Sequence, residues 1–134
     1  MKLLSLISLM FFSSNLLAQG SWQIIVNRKL QISGSISDEN KNVKTIKSSD
    51  WKSSGYLDIR YKPQGNYKFV LQLTDETGNE QWKIDTTSAK LKLSTIRKLF
   101  AGKKEMKIYM ILNPPNDMMM APSKILHLGT LKLP

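Results

Sequence analysis

Residues 67–85, YKFVLQLTDETGNEQWKID, constrain the fold more than any other stretch of the chain. Tyr67, Phe69, Leu71 and Leu73 alternate with Lys68, Gln72 and Thr74, and only Val70 breaks the pattern. A period of two marks a strand with one buried face. Asp75, Glu76, Thr77 and Gly78 form a turn-prone run, in which Gly78 can take the positive φ that hairpin loops commonly use. The chain then returns with Trp82 and Ile84 alternating against Gln81, Lys83 and Asp85. A lone hairpin is barely stable in water, so its apolar face needs further strands to pack on.

The remaining chain supplies them. Trp22, Ile24 and Val26 share one face of a first strand, and Asn27, Arg28 and Lys29 offer a tight turn. Leu30, Ile32 and Ile36 keep the alternation, while Gly34 sits where a core side chain belongs, a usual place for a bulge or a close backbone approach. Residues 37–42 are polar and read as an exposed loop, 43–47 as a weak strand, and 48–55 as a loop or single turn capped by Ser49 or Asp50. Leu57, Ile59 and Tyr61 point inward from the next strand. Beyond the hairpin, 89–93 reads as a short strand. Residues 95–101 form the one helix, with Ser94 as N-cap, Gly102 past its end, and Ile96, Leu99 and Phe100 along one side. Residues 106–112 are the most apolar strand and belong in the middle of a sheet; Pro114 and Pro115 end it. A last strand spans 124–133.

Seven or eight short strands with short connections predict an all-β chain. The expected architecture is a two-sheet antiparallel β-sandwich of immunoglobulin-like or cupredoxin-like size, with one short crossover helix. A small closed β-barrel is the alternative.

Residues 1–18 read as a cleaved signal peptide: Lys2 is a short positive region, 3–12 an apolar run, and Ala18 precedes the cut. Gly20 offers a second cleavage position. The apolar run is short for a membrane span, so no transmembrane segment is expected after cleavage. Residues 19–134 then form a single β-sandwich domain, exported to the periplasm or beyond. With no cysteine in the chain, that domain holds together without disulfides. Twenty Lys and Arg against ten Asp and Glu give a net charge of +10. Such a surface favours anionic partners.

Catalytic chemistry has little to work with. His127 is the only histidine, and the chain has neither a thiol nor a G-x-S-x-G elbow. Alternation places His127 on one face with Ile125, Leu131 and Leu133, where a histidine is ordinarily a hydrogen-bonded structural residue rather than a base. The chain therefore reads as no enzyme, with no cofactor. A copper-handling alternative rests on Met118, Met120 and His127, because thioether and imidazole ligands suit Cu(I). Methionine also fills irregular gaps in cores. Trp51 has only small and charged neighbours, so it either stacks on a partner or folds back over the end of the sandwich. Arg97, Lys98, Lys103, Lys104 and Lys107 form the densest run of charge, relieved only by Glu105. Together with Trp51 they are the expected binding residues, for an anionic protein or glycan; the plainer reading is a solvated surface. No aromatic stripe accompanies them, and nucleic acid is not expected.

Overall fold

The structure is a computed structural model that describes residues 20–115 and 122–134. The expected leader, residues 1–18, and Met118 and Met120 lie outside the described residues. Among the described residues, nine strands form two sheets packed face to face, a sandwich with no closed barrel. The first sheet holds β1 (Ser21–Val26), β2 (Lys29–Gly34), β4 (Tyr56–Lys62) and β7 (Ser88–Lys92), in the order β2-β1-β4-β7. The second holds β3 (Val43–Thr45), β5 (Lys68–Thr74), β6 (Glu80–Ile84), β8 (Glu105–Asn113) and β9 (Lys124–Lys132), in the order β3-β9-β8-β5-β6. The α-helix α1 (Leu93–Leu99) links β7 of one sheet to β8 of the other. It starts two residues before the expected 95–101, with Lys92 rather than Ser94 at the N-cap position and no side-chain cap. Gly102 follows it at φ 77°, as the helix stop requires.

One strand pair departs from the expected antiparallel arrangement. β3 runs parallel to β9, with Val43 opposite Thr130 and Thr45 opposite Lys132. The two strands lie about eighty positions apart in the chain, so no tight turn holds them to an antiparallel arrangement.

The hairpin of β5 and β6 forms with Gly78 at φ 87°, but it is not the middle of its sheet. That place belongs to β8, whose Met106, Ile108, Met110 and Leu112 are buried in strict alternation. β6 is an edge strand, and its Ile84 stays 47% exposed.

Two bulges reset which residues face the core. In β2, Ile24 pairs with Ile32 and Ile25 with Leu30, so Gln31 is the extra residue. The extra residue turns Leu30 outward beside Ile25 rather than inward with Ile32, and Leu30 is 55% exposed. In β9, Ile108 pairs with Gly129 and Tyr109 with His127, which makes Leu128 the extra residue. Leu126, Leu128 and Leu131 all reach the core, whereas His127 lies opposite Tyr109 on the outer face.

The sheets are joined near one end of β1 by Trp22. Its indole Nε1 donates to the Leu128 carbonyl of the facing sheet at 2.8 Å, and its ring stacks on Tyr61 with centroids 6.2 Å apart. Gly34 makes this possible, since a Cβ there would stand 3.2 Å from Nε1. The glycine marks a close approach, and the bulge of this strand lies at Gln31.

Candidate functional site

Strand β7 feeds straight into α1, whose Ile96 and Phe100 anchor it to the core and leave Arg97 and Lys98 exposed. A single 3-10 turn, Ser48–Asp50, brings Trp51 to the same end of the sandwich. Lys29 Nζ, 3.0 Å from the buried Asp50 carboxylate, holds that turn down. The result is a notch of about 430 Å³ between the helix end and the end of the chain, walled by Trp51, Phe100, Arg97 and Lys103. Trp51 is half-buried against the core, so its ring both closes the sandwich and forms a wall. Of the two expectations for this residue, folding back over the end of the sandwich is the one observed.

The basic run does not converge as one patch. Arg97 and Lys98 sit side by side on the helix, with Ser53 and Ser94 beside them. Lys103 Nζ is committed to the Asp75 carboxylate at 3.1 Å. The Lys104 side chain is exposed, while its backbone N–H donates to Glu76 Oε2 at 3.1 Å. Lys107 lies in β8 opposite Thr74 and Thr130, on the outer face of the five-stranded sheet. Among the described residues, Arg97, Lys98 and Lys104 are the members of the run with no ion pair near the notch.

Asp75 and Glu76 were legible only as turn residues, yet they organise this end of the molecule. Asp75 is 1% exposed and accepts from the Thr77 hydroxyl at 2.7 Å, and from the Thr77 and Asn79 backbone N–H groups at 3.0 Å each. The Thr77 hydroxyl first, then Lys103 and the backbone donors, hold its carboxyl far below the usual carboxylate range, against the opposing effect of burial. The local sequence signal is Asp75 followed two residues later by Thr77, the pattern of an Asx turn.

The sign of the resulting pH dependence is fixed. An unfolded aspartate takes up its proton near pH 4, whereas the folded Asp75 stays ionised to lower pH. Its stabilisation is therefore complete above about pH 4 and lost as the pH falls further. Urea midpoints of wild type and Asp75→Asn should differ clearly at pH 7, and the difference should shrink steadily as the pH falls below about 4. Parallel curves down to the lowest pH would remove the carboxylate from this role.

His127 is 2% exposed beneath the 36–42 loop. Its backbone N–H donates to Ser37 Oγ at 2.8 Å, its Nε2 lies 2.7 Å from Thr130 Oγ1, and the Tyr109 ring meets it edge-on at 5.5 Å. Nδ1 has no hydrogen-bond partner. Burial pushes the imidazole pKa down, while Glu39 and the Asp38 carbonyl and carboxylate pull it up and Lys107 adds to the lowering. The ring is thus closed off from solvent. Met106 and Met110 are fully buried on the opposite, inward face of β8, separated from His127 by the sheet itself. Among the described residues, no three His, Cys, Asp or Glu side chains are grouped to hold a metal. No helix among them is long and apolar enough to cross a membrane. A scan against known families finds no matching model, and neither curated proteins nor solved structures give a match.

Proposed function

We propose that this chain is an exported, non-catalytic interaction domain that takes an anionic protein or glycan partner at the Trp51 notch. The observation that carries the reading is the meeting of an aromatic wall, Trp51 and Phe100, with the unpaired guanidinium of Arg97 around one hollow. An aromatic face beside a cation suits a carboxylate-bearing partner with an apolar or planar portion. Lys98 and Lys104 extend the positive field around the rim, and the chain's net charge of +10 strengthens it. Export is supported by Lys2, the apolar run 3–12 and Ala18. The absence of an activity is supported by the sealing of His127, the one histidine, beneath a loop.

The test is a titration of tryptophan fluorescence with poly-L-glutamate over a salt series. Wild type should bind with an affinity that falls about tenfold between 50 and 300 mM salt, as exposed charge contacts do. Replacing Arg97, Lys98 and Lys104 together by glutamine should weaken binding about three- to tenfold at low salt, with an unchanged melting temperature. Identical affinities for both proteins at every salt concentration would reject the notch.

A further inference from the structure

The outer face of the four-stranded sheet carries a second concave surface, with a charge pattern of its own. Burying Leu57, Ile59 and Tyr61 obliges β4 to turn Tyr56, Asp58, Arg60 and Lys62 outward. Across the ladder, β7 sets Lys92 opposite Tyr56 and Lys90 opposite Asp58. Lys92, Lys90, Arg60 and Lys62 therefore climb the face in successive two-residue steps, about 7 Å each and about 20 Å in all. Asp58 is the one outward carboxylate of this strand pair, held by Arg60 through Nη2 at 2.9 Å and Nε at 3.2 Å.

At the Lys92 end the face deepens into a hollow of about 520 Å³, lined by Tyr56, Lys90, Asp58, Ser54, Asn27 and Arg28. Tyr56 is 42% exposed, and Lys90 Nζ lies 4.8 Å from its ring centroid. Arg28 stands at φ 67°, beside Asn27 at 51°, in the two central positions of the β1–β2 turn. Such a turn takes Asn-Gly most readily, and a residue with a Cβ is unfavourable in the second place. The chain nonetheless keeps an arginine there, at the rim of the hollow.

The chemistry of the surface narrows the ligand. A ring to lie against, a carboxylate and a serine hydroxyl for polyol groups, and cations at regular intervals suit a sugar chain that bears acid groups. A neutral sugar would leave the cations unused. A nucleic acid strand would find one ring rather than a series for successive bases. We infer that this face binds an acidic polysaccharide, one residue against Tyr56 in the hollow and the chain running along Lys90 and Arg60 to Lys62. The loop at 52–55 separates it from the notch, Ser53 lining the helix side and Ser54 the hollow, so the inference does not depend on the notch.

The experiment is an amide chemical-shift titration of the purified chain with a polyuronate oligosaccharide. A sulfated glycan, neutral dextran, single-stranded DNA and anionic phospholipid vesicles serve as parallel probes. Shifts should cluster at Tyr56, Asp58, Arg60 and Lys90, and dextran should produce none. Replacing Lys62, Lys90 and Lys92 together by glutamine should weaken polyuronate binding about tenfold or more. Tyr56→Ala should weaken it about three- to tenfold and Tyr56→Phe hardly at all, since the ring provides the contact. In the Arg97→Gln, Lys98→Gln variant the shifts at Tyr56, Asp58, Arg60 and Lys90 should titrate within about twofold of wild type, because the variant leaves this face intact. Three results would overturn the inference. One is polyuronate binding unchanged by the lysine replacements or by Tyr56→Ala; if the notch variant loses it instead, the notch reading survives alone. The second is DNA or vesicles binding as tightly as polyuronate, which would reduce the face to an unselective charged surface. The third is absence of polyuronate binding, and the poly-L-glutamate titration then decides the notch separately.

Discussion

Trp22→Ala is expected to destabilise the fold by about 3–5 kcal/mol, the usual range for removing a buried indole. Three features place it at that level. The side chain is 2% exposed and lies between the sheets. Its ring stacks on Tyr61 and covers the bare backbone of Gly34, so its removal leaves a cavity that a glycine cannot fill. Its Nε1 also satisfies the Leu128 carbonyl, in a bulge where that residue has no opposite number in β8. Trp22→Phe separates the contributions: most of the packing stays, while a buried carbonyl loses its donor at a cost of about 1–3 kcal/mol. Urea unfolding of the two variants measures both. A loss below about 1 kcal/mol for Trp22→Ala, less than core truncations ordinarily cost, would show that the contact between the sheets is not organised around this ring.

The alternation in the sequence was enough to predict the sandwich, because half-buried strands must repeat every two residues whatever their partners. It placed Trp22, Ile24, Val26, Leu57, Ile59, Tyr61, Leu71 and Leu73 inward, and all are buried. It misassigned Leu30, and it grouped His127 with Leu131, because a single extra residue at Gln31 and at Leu128 shifts every position beyond it to the other face. Neither extra residue is a glycine, the type that most often marks a bulge. The sequence also gave no sign that β3 would run parallel, since three residues carry too little pattern to fix a direction.

The candidate site was legible in part for a similar reason. Charge density along the chain pointed to Arg97, Lys98, Lys103, Lys104 and Lys107, but charge in space depends on partners distant in sequence. Asp75 lies 28 positions before Lys103 and removes it from the free set. The strand period carries Lys107 away from the helix. The cations of the four-stranded sheet were missed because they are spread over β4 and β7, about thirty positions apart in sequence, and only the ladder aligns them. A strand pair with Arg60, Lys62, Lys90 and Lys92 at alternate positions was the available signal.

Leu71→Ala is the second large effect, expected at about 2–5 kcal/mol. Leu71 is fully buried in β5, between Met110 of β8 and Ile84 of β6. Removing its branched end opens a cavity against the sulfur and methylenes of Met110, whose flexibility favours partial refilling and the lower half of that range. The neighbouring Phe69 is only half-buried at the end of the strand, with its ring 5.8 Å from Tyr61 and 6.3 Å from Tyr67. Its alanine variant should therefore cost less than full burial would imply, although the sequence pattern ranks the two residues equally. Gln72→Ala is the control, since its side chain points outward and bonds Glu80 at 2.9 Å on the surface. It should cost about 0.5 kcal/mol or less. Urea unfolding of the three variants under one condition gives the order Leu71, then Phe69, then Gln72. A Gln72→Ala loss equal to that of Leu71→Ala would contradict the inward face of β5, and with it the register that aligns this strand with β8.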